Sequence, residues 1–387
     1  MGESAPLRVL AAPDSFKGTF TSVEVAEALA AGWRRARPDD TVSLTPMADG
    51  GEGTLDAIAA SGGWDVHPAA ARDPHMVPIS SRYLRDGDRA VVELAAASGL
   101  SLVPADERDA MTASTFGTGQ VLATAIGLGA RRVVIGLGGS ATTDGGVGLL
   151  TALGAHFLDA AGGPLAPGGG ALADLSVVDL SGISEVLAEV SLVVASDVTN
   201  PLLGELGAAA TYGPQKGASA SQVEELDRAL GHYADLVEAA VGRSMRDERG
   251  SGAAGGTTFG LLAIADRFDS FDVEPGVEVV MELAGFHERL ADCDLVLTGE
   301  GRVDEQTAYG KTAMGVASEG AARDLHTICF GGGVTPEGYE VMAAMNVVAV
   351  PVIEQPMSLG EHVRLGPAPI SRAAERVARV VDLAMDL

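Results

Sequence analysis

Residues 131–154 of this 387-residue chain read RRVVIGLGGSATTDGGVGLLTALG, and few folds accept such a stretch. The apolar run 133–135 has the β-branched content of a buried strand, and it stops abruptly in glycines. Gly138, Gly139 and Ser140 then bring bare backbone together, Asp144 stands at the next corner, and an apolar helix starts near Val147. Strand, glycine turn and helix start together suit an anion, because glycines let N–H groups approach a ligand and the helix dipole favours negative charge. The expected ligand group is a phosphate or carboxylate. Such turns also serve as plain packing devices in α/β proteins, and the spacing Gly136, Gly138, Ala141 is only a weak match to a dinucleotide fingerprint.

A chain of this length exceeds one ordinary core, so two domains are expected. No apolar run approaches the ~18 residues of a membrane span, and the N-terminal segment lacks a basic leader and a long apolar core. Pro6 also breaks the myristoylation pattern that Met1-Gly2 suggests. With only Cys293 and Cys329, neither a disulfide framework nor a zinc site is indicated, and a soluble protein of the reducing cytoplasm is expected. The net charge of -27 excludes nucleic acid and anionic membrane as expected partners, since the summed field repels polyanions. It does not oppose a small anion held in a local positive pocket.

Lysine usage sharpens that point. The three lysines, Lys17, Lys216 and Lys311, all touch glycine, while arginine supplies every other basic side chain. An arginine-rich codon preference would leave few lysines by accident. A compact ammonium, however, also follows a moving phosphoryl group in a way that arginine's planar fork does not.

Along the chain, 7–12 reads as a first strand running into Pro13-Asp14-Ser15-Phe16-Lys17-Gly18, with a capping box from Thr21 to Glu24 and helical spacing to Pro38. A second strand at 42–45 opens into Asp49-Gly50-Gly51-Glu52-Gly53 before a helix at 54–60. The same Asp-Gly-Gly-x-Gly pattern recurs at 144–148. Short β-rich pieces with a hairpin turn at Asp86-Gly87 follow residue 64, then a helix at 116–126. A strand at 190–195 ends in Ser196-Asp197, the kind of place where open α/β sheets put ligand chemistry. After Gly213-Pro-Gln-Lys-Gly217 the spacing predicts an amphipathic helix over 222–241, capped by Ser221 with Glu224. Residues 250–256 read as loop and 277–290 as one helix. A buried strand at 294–298 opens into a loop carrying Glu300, Arg302 and Asp304, and Gly310-Lys311-Thr312 follows. The latter is no P-loop, because position 305 holds Glu where the pattern needs glycine. Strands at 327–330 and 347–352 and a helix at 370–385 complete the alternation.

The seven histidines lack metal spacing, and neither G-x-S-x-G nor H-E-x-x-H occurs. What remains is a set of acids and lysines in glycine loops at strand ends. Phosphoryl transfer uses such parts: cations and N–H donors for phosphates, carboxylates for Mg²⁺, and one carboxylate to orient an attacking hydroxyl. Two further classes stay open, a dinucleotide-dependent oxidoreductase and a non-catalytic acid sensor.

The segments APDSFKGTFTSVEVAEAL, PMADGGEGT, GLGGSATTDGGVG, ASDVTNPL, YGPQKGAS, GSGAAGG and VLTGEGRVDEQTAYGK occur in the order found in type I glycerate kinases, which the chain resembles over its whole length. The resemblance implies ATP- and Mg²⁺-dependent phosphorylation of glycerate, with 2-phosphoglycerate favoured as product. It also implies an α/β fold of two domains, a discontinuous flavodoxin-like domain (1–66 and 288–387) holding an inserted second α/β domain (67–287), with the site in the cleft. A homo-oligomer is left open. The SFKGT loop and the TTFG segment depart from the family's usual pattern and bear on substrate selectivity.

Within that reading, chemistry suggests roles. Asp197 is the first candidate for orienting the glycerate hydroxyl, and Asp304 and Glu300 are candidates for Mg²⁺ or for the same role. Lys17 and Lys216 would hold phosphate oxygens, and Arg302 would clamp the substrate carboxylate. Asp14, Ser15, Asp49, Gly50, Gly51, Glu52, Gly138, Gly139, Ser140, Asp144 and Lys311 make up the remaining substrate- and nucleotide-binding candidates.

Overall fold

The strand Arg8–Ala11 is flanked by parallel partners on both sides, Leu295–Val303 and Thr41–Leu44. The computed structural model that shows this describes residues 5–308, 312–355 and 358–385. The chain divides into two units: Met1–Asp49, Asp56–Gly63 and Val277–Leu387 form the first, and Gly50–Leu55 with Trp64–Gly276 form the second.

The first unit carries a five-stranded sheet in the order Val347–Pro351, His326–Val334, Leu295–Val303, Arg8–Ala11, Thr41–Leu44, all parallel. Numbered along the chain this is 2-1-3-4-5, the flavodoxin-like order, whose switch point lies between its first and third strands. Arg8–Ala11 and Leu295–Val303 are those two. Val9, Ala11, Leu297 and Phe330 are buried with Val25, Leu29 and Trp33 of the helix Ser22–Ala36 and with Ile370 and Ala374 of the helix Ala368–Met385. The two helices cross so closely at Gly32 that a Cβ there would stand 1.9 Å from the Ser371 carbonyl oxygen. The Thr21–Glu24 capping box opens the first helix as its sequence predicts.

Two elements of this unit differ from the sequence expectation. The strand expected to end at 298 continues to Val303, because Gly331–Gly333 of its neighbour extend the parallel pairing through Glu300 and Arg302. The single helix expected over 277–290 is two, Gly276–Leu283 and Phe286–Ala291, separated by Gly285 in the left-handed region at φ 63°.

The second unit has a six-stranded sheet in the order Ser270–Glu274, Ser191–Ala195, Arg132–Gly136, Arg89–Glu93, Pro78–Asp86, Asp65–Arg72. The first four are parallel and the last two join by antiparallel pairing, with the Asp86-Gly87 turn where the sequence places it. The strand His156–Asp159 pairs separately with Leu175–Asp179. The helix Ala220–Val241 buries Leu226, Leu230, Tyr233 and Val237 along one stripe. Its cap is Ser219 with Gln222 rather than Ser221 with Glu224, since Ser219 Oγ accepts from the Gln222 N–H and Gln222 returns a bond to the Ser219 N–H. The earlier S-x-x-Q box wins because it satisfies both donors of the first turn.

Candidate active site

In the first unit the acids cluster at the carboxyl edge of the sheet, at its switch point. Asp14 follows Arg8–Ala11, its N–H donates to the Gly299 carbonyl (2.8 Å), and its Oδ1 accepts from the Ser15 N–H at 2.6 Å. Burial, then the charge of Asp49, pushes its carboxyl up to about 6. Glu300 lies on the neighbouring strand, and burial pushes it up to about 7 against a hydrogen bond from Thr307, with Asp14 and Asp304 adding to the rise. Its Oε1 is buried with no hydrogen-bond partner. Burial and neighbouring carboxylates thus raise both Asp14 and Glu300 at one desolvated edge, the kind of perturbation found where a site holds a cation or moves a proton.

Cations stand at the rim of this cluster. Lys17, 81% exposed in its side chain, has Nζ 3.8 Å from Asp49 Oδ2, and Arg302 Nε is 2.8 Å from Asp304 Oδ2. Gly301 backs directly onto Phe16 and Lys17, so the two loops share one surface. Among the described residues no three carboxylate, imidazole or thiolate groups form a ready-made metal cage. Mg²⁺ is ordinarily held by one or two carboxylates plus substrate phosphates, so the oxygen donors here, with Glu300 Oε1 unpartnered, fit that cation. Lys311 lies outside the described residues.

In the second unit the stretch 131–154 behaves differently from its sequence expectation. The N–H groups at the start of the helix Val147–Ala152 already hold an anion of the chain itself. Asp144 is fully buried and accepts from the N–H groups of Thr115 (2.8 Å), Gly146 (3.2 Å) and Gly148 (3.2 Å) and from Thr115 Oγ1 (2.9 Å). Burial raises its pKa, and these bonds oppose the rise. The Gly138 N–H donates to the Gly50 carbonyl at 3.1 Å, and a Cβ on Gly138 would stand 2.4 Å from Gly51 Cα. The two glycine loops therefore pack backbone against backbone, and a Cβ on Gly50, at φ +84°, would stand 2.9 Å from the Ala195 carbonyl oxygen. Gly139 faces Glu52, which is exposed. The dinucleotide reading loses its turn donor and its free helix start.

Lys216 is drawn into the same loop. Only 2% exposed, it donates from Nζ to Ser140 Oγ (2.8 Å) and the Thr142 carbonyl (2.5 Å), and burial lowers its pKa to about 7. Asp197, at the end of Ser191–Ala195, accepts from the Gly276 N–H at 3.1 Å through Oδ1. The structure thus brings together Asp14, Ser15, Lys17, Asp49, Glu300, Arg302 and Asp304 in one unit, and Gly50, Gly51, Glu52, Gly138, Gly139, Ser140, Asp144 and Lys216 in the other.

Glu93 was not singled out from the sequence. Its buried carboxylate accepts from the Gly53 (3.3 Å) and Leu55 (2.9 Å) N–H groups and so pins the Asp-Gly-Gly loop to the sheet. The signal available was an acid closing the apolar strand Arg89–Glu93, where only a bonded carboxylate is tolerated.

A family model described as the glycerate kinase family matches residues 9–382. The chain belongs to the glycerate kinase family. A glycerate kinase of Halalkalibacterium halodurans is 40% identical over 96% of this chain and 97% of its own length. A glycerate 2-kinase of Escherichia coli is 40% identical over 98% and 99%. A crystal structure assigned as glycerate kinase 2 from Salmonella typhimurium superposes with a TM-score of 0.84 at 36% identity, covering 99% of this chain and all of that one. As a member of this family the chain is an enzyme, and no helix among its described residues is long and apolar enough to cross a membrane.

Proposed function

We propose that this member of the glycerate kinase family transfers the γ-phosphoryl group of ATP, with Mg²⁺, to the 2-hydroxyl of D-glycerate. The carrying observation is the crowded acid edge of the first unit, where burial and neighbouring carboxylates raise Asp14 to about 6 and Glu300 to about 7. A polyphosphate meets such an edge only together with a cation, because the bare charges repel. Glu300, flanked by Asp14 and Asp304, would hold Mg²⁺, and that ion would neutralise charge on the phosphates.

Each of the chain's own groups then has a task. Lys17, exposed at the rim, follows the phosphoryl oxygens as a point charge. Asp197 accepts the hydroxyl proton of glycerate, an acid at a strand's carboxyl end where α/β sheets place such groups. The Asp144 anchor and the Glu93 anchor keep both glycine loops of the second unit fixed, which limits reorganisation during transfer. The buried free thiols of Cys293 and Cys329 suit a reducing cytoplasm.

The test is the ³¹P NMR spectrum of the product from D-glycerate and ATP, with Mg²⁺ and with EDTA. A 2-phosphoglycerate resonance that requires the metal is the expected result. A 3-phosphoglycerate resonance would overturn the regiochemistry, and absence of either product would overturn the kinase reading for this acceptor.

A further inference from the structure

The second unit holds a buried ammonium whose protein partners do not complete it. Lys216 reaches its place from the short turn Pro214–Lys216, closed by Gly217 at φ 94°, and bonds two neutral oxygens of a loop 74 to 76 residues earlier in the chain. In its protonated form, the one that meets an anion, Lys216 has three donors, so one N–H is unmatched. Among the described residues no carboxylate forms an ion pair with it, and Asp144 acts on it only through space. Buried charges persist in folded proteins when they are paired or when they serve a ligand.

The same loop and the segment packed on it carry further unmatched groups. Thr142 and Thr143 are each 0% exposed, and neither Oγ1 has a hydrogen-bond partner; Thr258 is 1% exposed and its Oγ1 likewise has none. Behind the loop the chain runs through three consecutive left-handed residues, Ala254, Gly255 and Gly256. A Cβ on Gly255 would stand 2.0 Å from the Thr142 carbonyl oxygen, so glycine alone permits this approach. Such strain in a non-glycine residue, Ala254 at φ 52°, is kept where the surroundings impose it, commonly at ligand sites.

We propose that Lys216, Ser140 and the Thr142 and Thr143 hydroxyls form the subsite that receives the carboxylate of the acceptor hydroxy acid. A single ammonium with hydroxyl donors matches an anion of one charge and two oxygens. A triphosphate would bring several charges into the same dry place with one cation to meet them. The assignment rests on the kinase reading above for the identity of the acid, and it moves the carboxylate from Arg302, which is 72% exposed and already paired with Asp304, to a site in the second unit.

The experiment is calorimetric binding of D-glycerate to the intact protein without nucleotide, beside ATP binding and steady-state kinetics, for wild type, Lys216→Met, Thr142→Val and Arg302→Gln. Lys216→Met is expected to weaken glycerate binding about fifty-fold or more and Thr142→Val about tenfold, the loss of a charged and a neutral bond respectively, with ATP affinity unchanged. Thr142→Val keeps the carbonyl that Lys216 uses, so it carries the test if Lys216→Met fails to fold. Loss of ATP affinity in place of glycerate affinity would overturn the carboxylate assignment, as would unchanged glycerate binding in folded variants or a loss confined to Arg302→Gln. Wild-type protein that binds glycerate but forms no phosphoglycerate would sink the kinase reading and leave the subsite standing. A productive wild type whose Thr142→Val and Lys216→Met forms bind glycerate normally would do the reverse.

Discussion

The acid edge of the first unit and the lysine loop of the second solve opposite problems. At Asp14 and Glu300, like charges are gathered on a partly open sheet edge, and their carboxyls are pushed toward the protonated form. Around Lys216 and Asp144, opposite charges are buried in separate hydrogen-bond sets, and the whole loop is fixed before any ligand arrives. In the proposed reaction the first arrangement would be completed by a cation from outside, whereas the second is scaffold with a few donors to spare. Catalytic potential and structural support therefore look alike in sequence, both being acids and lysines beside glycines, and differ in what the protein leaves unmatched.

Four experiments would break or sharpen this contrast. The largest effect is expected at Glu300: Glu300→Gln should lower kcat by about 10² to 10⁴ with the fold intact, because it removes charge from the acid edge. A kcat within twofold of wild type would remove Glu300 from the machinery. Next is Asp144→Ala, which leaves three backbone N–H groups buried without an acceptor. Urea denaturation should show a loss on the order of 3 kcal/mol, and an unchanged midpoint would mean that the loop is held by something else.

Stability against pH gives the third. Glu300 has a folded-state pKa of about 7, above its unfolded value of 4.5, so its contribution is fully present below the unfolded value and is lost as pH rises from there through 7. Without metal, wild type should lose about 3 kcal/mol between pH 4 and pH 8 through this group, and Glu300→Gln should flatten that part of the profile. A mutant profile parallel to wild type would show that burial does not perturb Glu300. The smallest effect is at the rim: Arg302→Gln should change stability by less than about 0.5 kcal/mol, since the Arg302–Asp304 pair is solvent-screened. A larger loss in thermal unfolding would mean that this pair is a structural part of the acid edge.

Much of the architecture was readable from residues alone. Periodicity placed the alternating strands and helices, the Thr21–Glu24 box placed a helix start, and the motif order pointed to the family, because these signals are local or lie in linear order. The extension of Leu295–Val303 was not readable, since it depends on Gly331–Gly333 pairing alongside. The cap at Ser219 was written in the chain but competed with a second box two residues later.

The candidate site divides the same way. Sequence determined which residue types were available: acids at strand ends, three lysines beside glycines, and two Asp-Gly-Gly loops. Only tertiary structure decided that Asp144 fills the helix start that the sequence offered to a ligand, that Gly138 and Gly50 pack on each other, and that Lys216 is buried while Lys17 is exposed. The reason is physical. Whether a charge is a tool or a strut depends on desolvation and on partners that are distant in the chain, and neither quantity is a property of the local sequence.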